Sequence, residues 1–317
     1  MLVIVAPGQG AQTPGFLSPW LEVDGVADRL RGWSDVAGLD LVRYGTEASE
    51  EEIKDTAVAQ PLLVAAGLVT AGALLPDGLT GVAGAVAGHS VGEITAAAAA
   101  GVLSESDALE FVRERSLAMA EAAAATATGM AALLGGDPET VAAKLAEHGL
   151  TAANNNGGGQ IVAAGTLAQL EALKADPPTG TRVIPLKVAG AFHTEHMAPG
   201  VERLAKLAPT LRVADPTLSY VSNRDGEVVG SGTEVLDRLV SQVSNPVRWD
   251  LCMETLQQLG ATAVIELSPA GTLTNLVKRN VKGVATLALK TPADLDKARA
   301  LVAEHGTQAT GGQELNA

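Results

Sequence analysis

A glycine-flanked serine near residue 90 separates a short apolar run from a long alanine-rich segment. The apolar run Gly81–Ala87 leads into Gly88–Gly92 (Gly-His-Ser-Val-Gly), and an alanine-rich helical pattern follows at once. This order predicts a strand, a sharp turn and a helix, with the pentapeptide matching Gly-x-Ser-x-Gly. The glycines allow the backbone to crowd together, and the helix N-terminus offers unpaired N–H groups where an oxyanion would form. In this context the pattern favours a nucleophilic serine over an ordinary turn serine.

Composition limits the kind of protein that this chain can be. Its 317 residues are 47% hydrophobic and 18% charged, which is typical of a globular protein with room for a large domain and a smaller one. The formal net charge of −14 argues against nucleic acid and anionic membrane surfaces as main partners. Cys252 is the single cysteine, so we expect neither an intrachain disulfide nor a thiolate metal site.

The sequence predicts neither a targeting segment nor a membrane span. Met1–Pro7 lacks a basic region and predicts a first strand that runs into a glycine turn. Leu62–Leu75 is the longest uncharged apolar stretch, and its length is too short to cross a bilayer. Pro61 predicts the start of this helix, because proline is tolerated at the first helical position. We therefore expect a buried core helix in a soluble, cytoplasmic protein.

An arginine is predicted to lie beside the serine turn. The helix Val91–Ala100 and the next helix, which Ser104 caps and which runs from Glu105 to about Ala123, form a hairpin. Ser90 and Arg115 each lie about 11 residues from the bend, or about 16 Å along the axes, so an antiparallel pair brings them level. A helix arginine is often simply solvated. A guanidinium beside a nucleophile, however, suits a substrate with a free carboxylate, which it binds as a fork.

The middle of the chain predicts a small inserted domain. Strand and helix patterns between Met130 and Lys187 follow the order β-α-β-β-α-β, the ferredoxin-like split unit. We predict an α/β fold in which residues 1–127 and 190–305 form a large α/β-hydrolase-like domain around a parallel sheet. Residues 128–189 form the inserted ferredoxin-like domain. Residues 306–317 lack an apolar period and predict a disordered tail.

A serine nucleophile needs a general base, and five histidines are available. His193 follows an apolar pair where the chain re-enters the large domain, and His196 starts the next helix. With Glu195 these two also form half of a metal site, but the sequence offers no obvious third ligand. No Asp or Glu stands out as a third member, so a backbone carbonyl is expected to hold the histidine. The remaining histidines are less suitable as a base: His89 faces away from Ser90, His148 ends a surface helix, and His305 lies near the tail.

Taken together, these residues resemble the malonyl-CoA:acyl carrier protein transacylase family, which includes the acyltransferase domains of fatty-acid and polyketide synthases. The resemblance covers the chain to about residue 290, and the chain looks like a free-standing enzyme. The motifs that carry it, in order, are Pro7–Gln12, Gly88–Glu93, Arg115 with Met119, Gly190–His193, Asn245–Trp249, and Gly271 with Leu273. One departure is Ala11, where serine is commoner in the family.

The resemblance implies a role for each matching position. Ser90 would carry the acyl group and His193 would be its base, with the main-chain carbonyl of Gln242 orienting the histidine. The residues implied around them are Gln9 and Val91, whose N–H groups form the oxyanion hole, Arg115, which binds the malonyl carboxylate, and Gln60, Met119 and Phe192, which line the pocket. The family transfers malonyl from coenzyme A to serine and then to the phosphopantetheine thiol of acyl carrier protein. It needs no metal or bound cofactor.

The resemblance also indicates specificity and partners. Phe192 before the histidine and Val91 after the serine match the malonyl-selecting members, whereas methylmalonyl-selecting members tend to carry Ser and Gln there. We expect a monomer that meets malonyl-CoA and an acidic carrier protein, with Lys278, Arg279 and Lys187 as candidate docking cations. A serine hydrolase or thioesterase on the same elbow is the alternative. A non-catalytic carrier-binding module would require the loss of Ser90 or His193, and both are present.

Overall fold

Two β-sheets and the helices around them organise the chain in the computed structural model, which describes residues 1–307. The first part contains β1 (Leu2–Ala6), α1 (Val26–Ala37), α2 (Leu41–Thr46), α3 (Thr56–Leu74), β2 (Ala85–Gly88), α4 (Gly92–Ala99) and α5 (Glu105–Ala125). The middle part contains β3 (Thr128–Gly135), α6 (Pro138–Glu147), β4 (Thr151–Asn155), β5 (Gln160–Thr166), α7 (Leu167–Ala175) and β6 (Thr181–Pro185).

The last part of the chain contributes to both sheets. Its elements are α8 (Ala198–Leu207), β7 (Ser219–Val221), β8 (Val228–Val229), α9 (Gly232–Gln242), β9 (Val247–Arg248), α10 (Trp249–Gln258), β10 (Ala263–Glu266), α11 (Thr272–Asn280), β11 (Ala285–Ala288) and α12 (Leu295–His305). Short 3-10 turns lie at Ser18–Glu22, Glu52–Lys54, Glu195–Met197, Ala208–Thr210 and Pro292–Asp294.

The larger sheet has six strands in the order β11-β10-β1-β2-β7-β8. All neighbouring pairs are parallel except β7 and β8. Every residue of β1 is buried, and its side chains alternate between two apolar clusters, with Ile4 in one and Val3 and Val5 in the other. Burial on both faces explains the continuous apolar sequence of this strand. The predicted α/β class with a parallel sheet core is therefore what the chain adopts.

The smaller sheet has the strand order β6-β3-β5-β4-β9. The pairs among β6, β3, β5 and β4 are antiparallel, and β9 adds to β4 in parallel. Helices α6 and α7 cover one face through a separate small core that includes Leu133, Val141, Leu145, Ala163 and Leu173. Residues 128–185 thus follow the order β-α-β-β-α-β with their own apolar core.

The long apolar helix differs from its prediction in where it begins. It starts at Thr56, six residues before Leu62, because the Asp55 side chain accepts from the Ala57 N–H at 2.8 Å and caps it. Pro61 is consequently inside the helix, where its missing N–H removes one helical bond. The 19 residues Thr56–Leu74 are long and apolar enough to cross a membrane, contrary to the prediction, but 78% of the apolar window is buried inside the protein. The helix packs against α4 and α5 as a core element.

Other parts of the chain also differ from the prediction. The strand expected from Gly81 begins at Ala85, because Gly81 has a φ of 77° and belongs to a turn. Helix α12 was not predicted at all. The predicted disordered tail is wrong for its first residues, since the Thr307 N–H donates to the Val82 carbonyl at 2.9 Å. The remainder of that predicted tail, 308–317, lies outside the described residues.

Candidate active site

Ser90 lies on a strained turn at the carboxyl edge of the larger sheet. The turn joins β2 to α4, and Ser90 has a φ of 53°, a left-handed conformation that is rare outside glycine. A Cβ on Gly88 would lie 2.0 Å from the Gly92 carbonyl carbon, and one on Gly92 would lie 2.2 Å from the Ala6 oxygen. Both glycines are therefore required for the backbone to pack this closely. The result is a serine held away from the sheet at the edge where α/β proteins bind ligands.

His193 is the histidine that contacts Ser90. Its Nε2 lies 2.7 Å from the Ser90 Oγ, and its Nδ1 lies 2.9 Å from the Gln242 carbonyl oxygen. A carbonyl only accepts, so Nδ1 carries the proton and Nε2 is free to accept from the serine hydroxyl. Burial and the charge of Arg115 lower the pKa of His193 to about 3, so the imidazole is neutral at physiological pH.

Arg115 reaches the serine from helix α5, at the height that the hairpin spacing predicts. Its Nη2 donates to the Ser90 Oγ at 3.2 Å and to the Gln242 Oε1 at 2.7 Å. Its Nη1 donates to the Gln60 Oε1 at 2.6 Å. The side chain is 1% exposed, and burial lowers its pKa to about 9, which still leaves it charged at neutral pH. Within residues 1–307 no carboxylate forms an ion pair with Arg115.

Two backbone amides, one in the loop after β1 and one in the serine turn, have no acceptor among the described residues. Among residues 1–307, neither the Gln9 N–H nor the Val91 N–H donates to a protein group. Gly8 lies against the turn so closely that a Cβ there would sit 2.9 Å from the His89 oxygen. The Gln9 side chain donates to the Thr56 Oγ1 at 3.3 Å, which fixes the loop after β1. Free N–H groups at this position suit a developing oxyanion.

A cavity of about 320 Å³ opens in front of Ser90 and His193. Gln9, Gln60, Met119 and Phe192 are among the residues that line it, whereas Arg115, Val91 and Gln242 are not. The Gln60 Nε2 also donates to the Met119 Sδ at 3.5 Å. The rest of the lining comes from the loop after β1, from His89, from the smaller sheet and the segments next to it, and from α11, and includes Met130, Asn156, Val162, Leu186, Val188, Leu273 and Leu276. A cavity lined largely by apolar side chains, with Ser90, His193 and Gln60 among its polar groups, suits a small acyl group on a long arm.

His89 contacts residues away from Ser90. The His89 Nε2 donates to the Asn156 Oδ1 at 2.9 Å, and its ring packs on Trp249, with 5.8 Å between centroids. Burial lowers the pKa of His89. His196 lies in the 3-10 turn after His193, and the part of the chain that the structure describes contains no group of three or more His, Cys, Asp or Glu side chains able to hold a metal ion.

Two residues that the sequence analysis did not assign support the turn from behind. The Asn223 Oδ1 accepts from the Ser90 N–H at 2.8 Å, and its Nδ2 donates to the Gly88 carbonyl at 2.7 Å. Glu93 is 1% exposed and accepts from the Asn223 N–H at 2.7 Å and from the Gln242 side chain. Glu93 stood inside a quoted motif, whereas nothing in the sequence marked Asn223, which follows the short strand β7.

The candidate docking cations are all exposed. Arg279 lines a surface groove of about 420 Å³ with Lys290, and this groove shares Gln160, Thr272 and Leu276 with the cavity at Ser90. Lys278 is its exposed neighbour on α11, and Lys187 is exposed just after β6. The arginine is thus beside a path into the cavity.

Nearly the whole chain is similar in sequence to known malonyl CoA-acyl carrier protein transacylases. The malonyl CoA-acyl carrier protein transacylase of Mycobacterium tuberculosis is 52% identical over 298 residues, covering 94% of this chain and 99% of the relative. The Bacillus subtilis transacylase is 33% identical, covering 94% and 96%.

Solved structures of such proteins are also similar to this chain. The crystal structure of MCAT from Mycobacterium tuberculosis matches with a TM-score of 0.91 and 51% identity, covering 94% of this chain and 99% of that one. A malonyl-transacylase in complex with a type II PKS acyl-carrier protein matches with a TM-score of 0.87 and 30% identity, covering 94% and 99%. The model of the acyl transferase domain matches residues 3–313. The chain therefore belongs to the acyl transferase domain family.

Proposed function

We propose that this protein transfers a malonyl group from malonyl-CoA to the phosphopantetheine thiol of an acyl carrier protein. One observation carries the proposal: a single serine hydroxyl contacts both a neutral histidine, at 2.7 Å, and a buried arginine, at 3.2 Å. The histidine suits acyl transfer through a serine ester, and the arginine suits an acyl group that carries its own carboxylate. The relatives named above as malonyl transacylases support the same conclusion.

In the first half-reaction, Ser90 attacks the thioester carbonyl of malonyl-CoA. The His193 Nε2 accepts the hydroxyl proton as the new C–O bond forms. The oxyanion accepts hydrogen bonds from the Gln9 and Val91 N–H groups. The C–S bond then breaks, and the CoA sulfur leaves as a thiol with the proton that His193 returns. Ser90 is left as a malonyl ester.

The second half-reaction reverses these steps with a different thiol. His193 accepts the proton of the pantetheine thiol, and the sulfur attacks the ester carbonyl on Ser90. The same amides bind the oxyanion. The C–O bond then breaks, and Ser90 recovers its proton from His193. Because both halves use the same groups, no metal or bound cofactor is required.

Arg115 holds the malonyl group during both steps. Its fork is already oriented by Gln60 and Gln242 through neutral amide oxygens, so its charge remains available to a substrate carboxylate. A serine hydrolase or thioesterase acting on simple esters would have no use for a buried cation at this position. Transfer is therefore favoured over hydrolysis.

We extend the proposal to the organisation of the chain. Residues 128–189 form an inserted ferredoxin-like domain, supported by the strand order β6-β3-β5-β4 and its own apolar core, and residues 1–127 and 190–305 form the catalytic domain. The cavity lies between the two, with the docking groove beside Arg279 at its mouth. The protein acts as a cytoplasmic monomer that meets malonyl-CoA and then the carrier protein.

Intact-mass measurement of Ser90 acylation tests the proposal. Incubation with malonyl-CoA should add one malonyl group to the wild type and none to Ser90→Ala. Ser116→Ala is the matched control, because Ser116 is a buried serine on α5 whose hydroxyl donates only to the Arg113 carbonyl. A wild-type protein that stays unlabelled but hydrolyses simple esters would instead identify a hydrolase.

A further inference from the structure

Glu93 is a buried carboxylate to which the proposed reaction gives no role. It is the second residue of α4, directly behind the serine turn, and it is 1% exposed. A buried carboxylate is costly unless its oxygens are hydrogen-bonded. Its Oε1 accepts from the Asn223 N–H at 2.7 Å, and its Oε2 accepts from the Gln242 Nε2. Both oxygens therefore act as acceptors, as in the ionised carboxylate, which predominates above the pKa of about 7 to which burial raises Glu93.

The contact with Glu93 determines which way the Gln242 amide faces. The Gln242 Nε2 donates to Glu93 and to the Ser90 carbonyl at 3.1 Å. The Gln242 Oε1 is thereby turned to the other side, where it accepts from the Arg115 Nη2 at 2.7 Å. Because a carboxylate has no proton to donate, only this orientation satisfies all three groups.

We propose that Glu93 is a positioning residue for acyl specificity: its carboxylate orients the Gln242 amide, and that amide holds the Arg115 fork beside Ser90. The inference rests on the proposed malonyl transfer and adds a residue that controls it. Glu93 itself touches neither the substrate nor the reacting atoms. Its effect passes through one side chain to the arginine.

Gln242 orients His193 through its main-chain carbonyl and Arg115 through its side-chain amide, so the effects on the base and on the arginine can be separated. Its main-chain carbonyl holds the His193 Nδ1 at 2.9 Å, and that carbonyl belongs to the end of α9. Turning the side-chain amide leaves this contact in place. Loss of the Glu93 charge should therefore disturb the position of Arg115 and spare the pairing of Ser90 with His193.

Glu93→Gln is the informative substitution, because it retains one acceptor and replaces the other with a donor. The new amide oxygen can still accept from the Asn223 N–H, so the support of the serine turn is kept. The NH₂ group of the new side chain at position 93 then faces the Gln242 Nε2, and two donors cannot hydrogen-bond to each other. If the Gln242 amide reverses to relieve this, the NH₂ group of Gln242 faces the Arg115 Nη2, which is again a donor.

The experiment compares acylation of Ser90 by malonyl-CoA and by acetyl-CoA in rapid-quench intact-mass measurements. In Glu93→Gln we expect kcat/KM for malonyl-CoA to fall about tenfold or more relative to acetyl-CoA, mainly through a higher KM, because a charged hydrogen bond is disturbed. Glu93→Asp keeps an acceptor-only group and should retain more of the malonyl preference. Ser116→Ala is the control: Ser116 is buried next to Arg115 on α5, but its hydroxyl donates to the Arg113 carbonyl, so the preference should not change.

A second variant keeps the proposal testable if Glu93→Gln folds poorly. Gln242→Leu retains the main-chain carbonyl and removes the amide, so it should reproduce the selective loss. Adding Glu93→Gln to it should then cause little further change in the malonyl-to-acetyl ratio. Equal losses for the two acyl groups, or additive losses in the double variant, would overturn the positioning role. A wild type that is not malonylated would overturn the proposed function instead.

Discussion

Replacing Arg115 with alanine tests the basis of substrate recognition most directly. The guanidinium is buried, and its two terminal nitrogens are aimed by Gln60 and Gln242 towards Ser90. Removing one partner of a buried, hydrogen-bonded charge pair costs about 2–5 kcal/mol. In kcat/KM this is a loss of roughly 30- to 5,000-fold for malonyl transfer. Acetyl-CoA has no carboxylate and loses only the hydrogen bond to the Ser90 hydroxyl, so its loss should stay below about tenfold.

The assay measures kcat/KM for both acyl-CoA substrates with one holo acyl carrier protein, together with the melting temperature of each variant. Arg113→Ala is the matched control, because it removes the same charge from an exposed position two residues earlier on α5. It should change neither rate by more than about twofold. Equal losses of malonyl and acetyl transfer in Arg115→Ala, at an unchanged melting temperature, would refute carboxylate binding by Arg115.

Three further predictions concern the base, the pocket and the buried carboxylate. His193→Gln should lower kcat about 10²- to 10⁴-fold. The pH–rate profile of wild-type acetylation should show no histidine ionisation above about pH 5, because burial holds the pKa of His193 near 3. A histidine ionisation near pH 6.5 in that profile would contradict this prediction. Phe192→Ser should raise the ratio of methylmalonyl to malonyl acylation about tenfold in a competition assay, since Phe192 lines the cavity. An unchanged ratio would show that Phe192 does not determine acyl specificity. Burial raises the pKa of Glu93 from 4.5 to about 7, so the folded state binds the extra proton between these values and stability falls as pH rises through them. Urea titrations of Glu93→Gln should lack that fall, of about 3 kcal/mol; the same fall in the variant would assign it elsewhere.

The parts of the fold that local chemistry determines could be predicted from the sequence. Ser104 caps α5 as predicted, its Oγ accepting from the Asp107 N–H at 3.0 Å, and Asp137 caps α6. The glycine-flanked turn at Ser90 was equally predictable, because only glycine allows the backbone to approach as closely as Gly88 and Gly92 do. For the two caps and for the approach of Gly88 to Gly92, the cause lies within a few residues of the effect.

Features that depend on distant partners could not be predicted in this way. The predicted start of α3 was wrong because Pro61 is a stronger sequence signal for a helix start than Asp55, whose side chain caps the helix. Asn223 supports Ser90 across 133 positions of sequence, and Glu93 meets Gln242 across 149. No periodicity or spacing connects such pairs, because Asn223 reaches Ser90 only when β7 pairs with β2, and Gln242 reaches Glu93 only when α9 packs against α4.

The way in which Arg115 is held explains how a site can be both buried and receptive to an anion. A carboxylate placed directly on the guanidinium would satisfy it and compete with the substrate. Here the guanidinium donates to the neutral amide oxygens of Gln60 and Gln242 and to the Ser90 hydroxyl, and the buried carboxylate of Glu93 lies on the far side of the Gln242 amide. The arginine is therefore oriented without being neutralised by a direct ion pair. The charge that is costly to bury in the empty protein is the charge that a malonyl group, and not an acetyl group, can pair with on arrival.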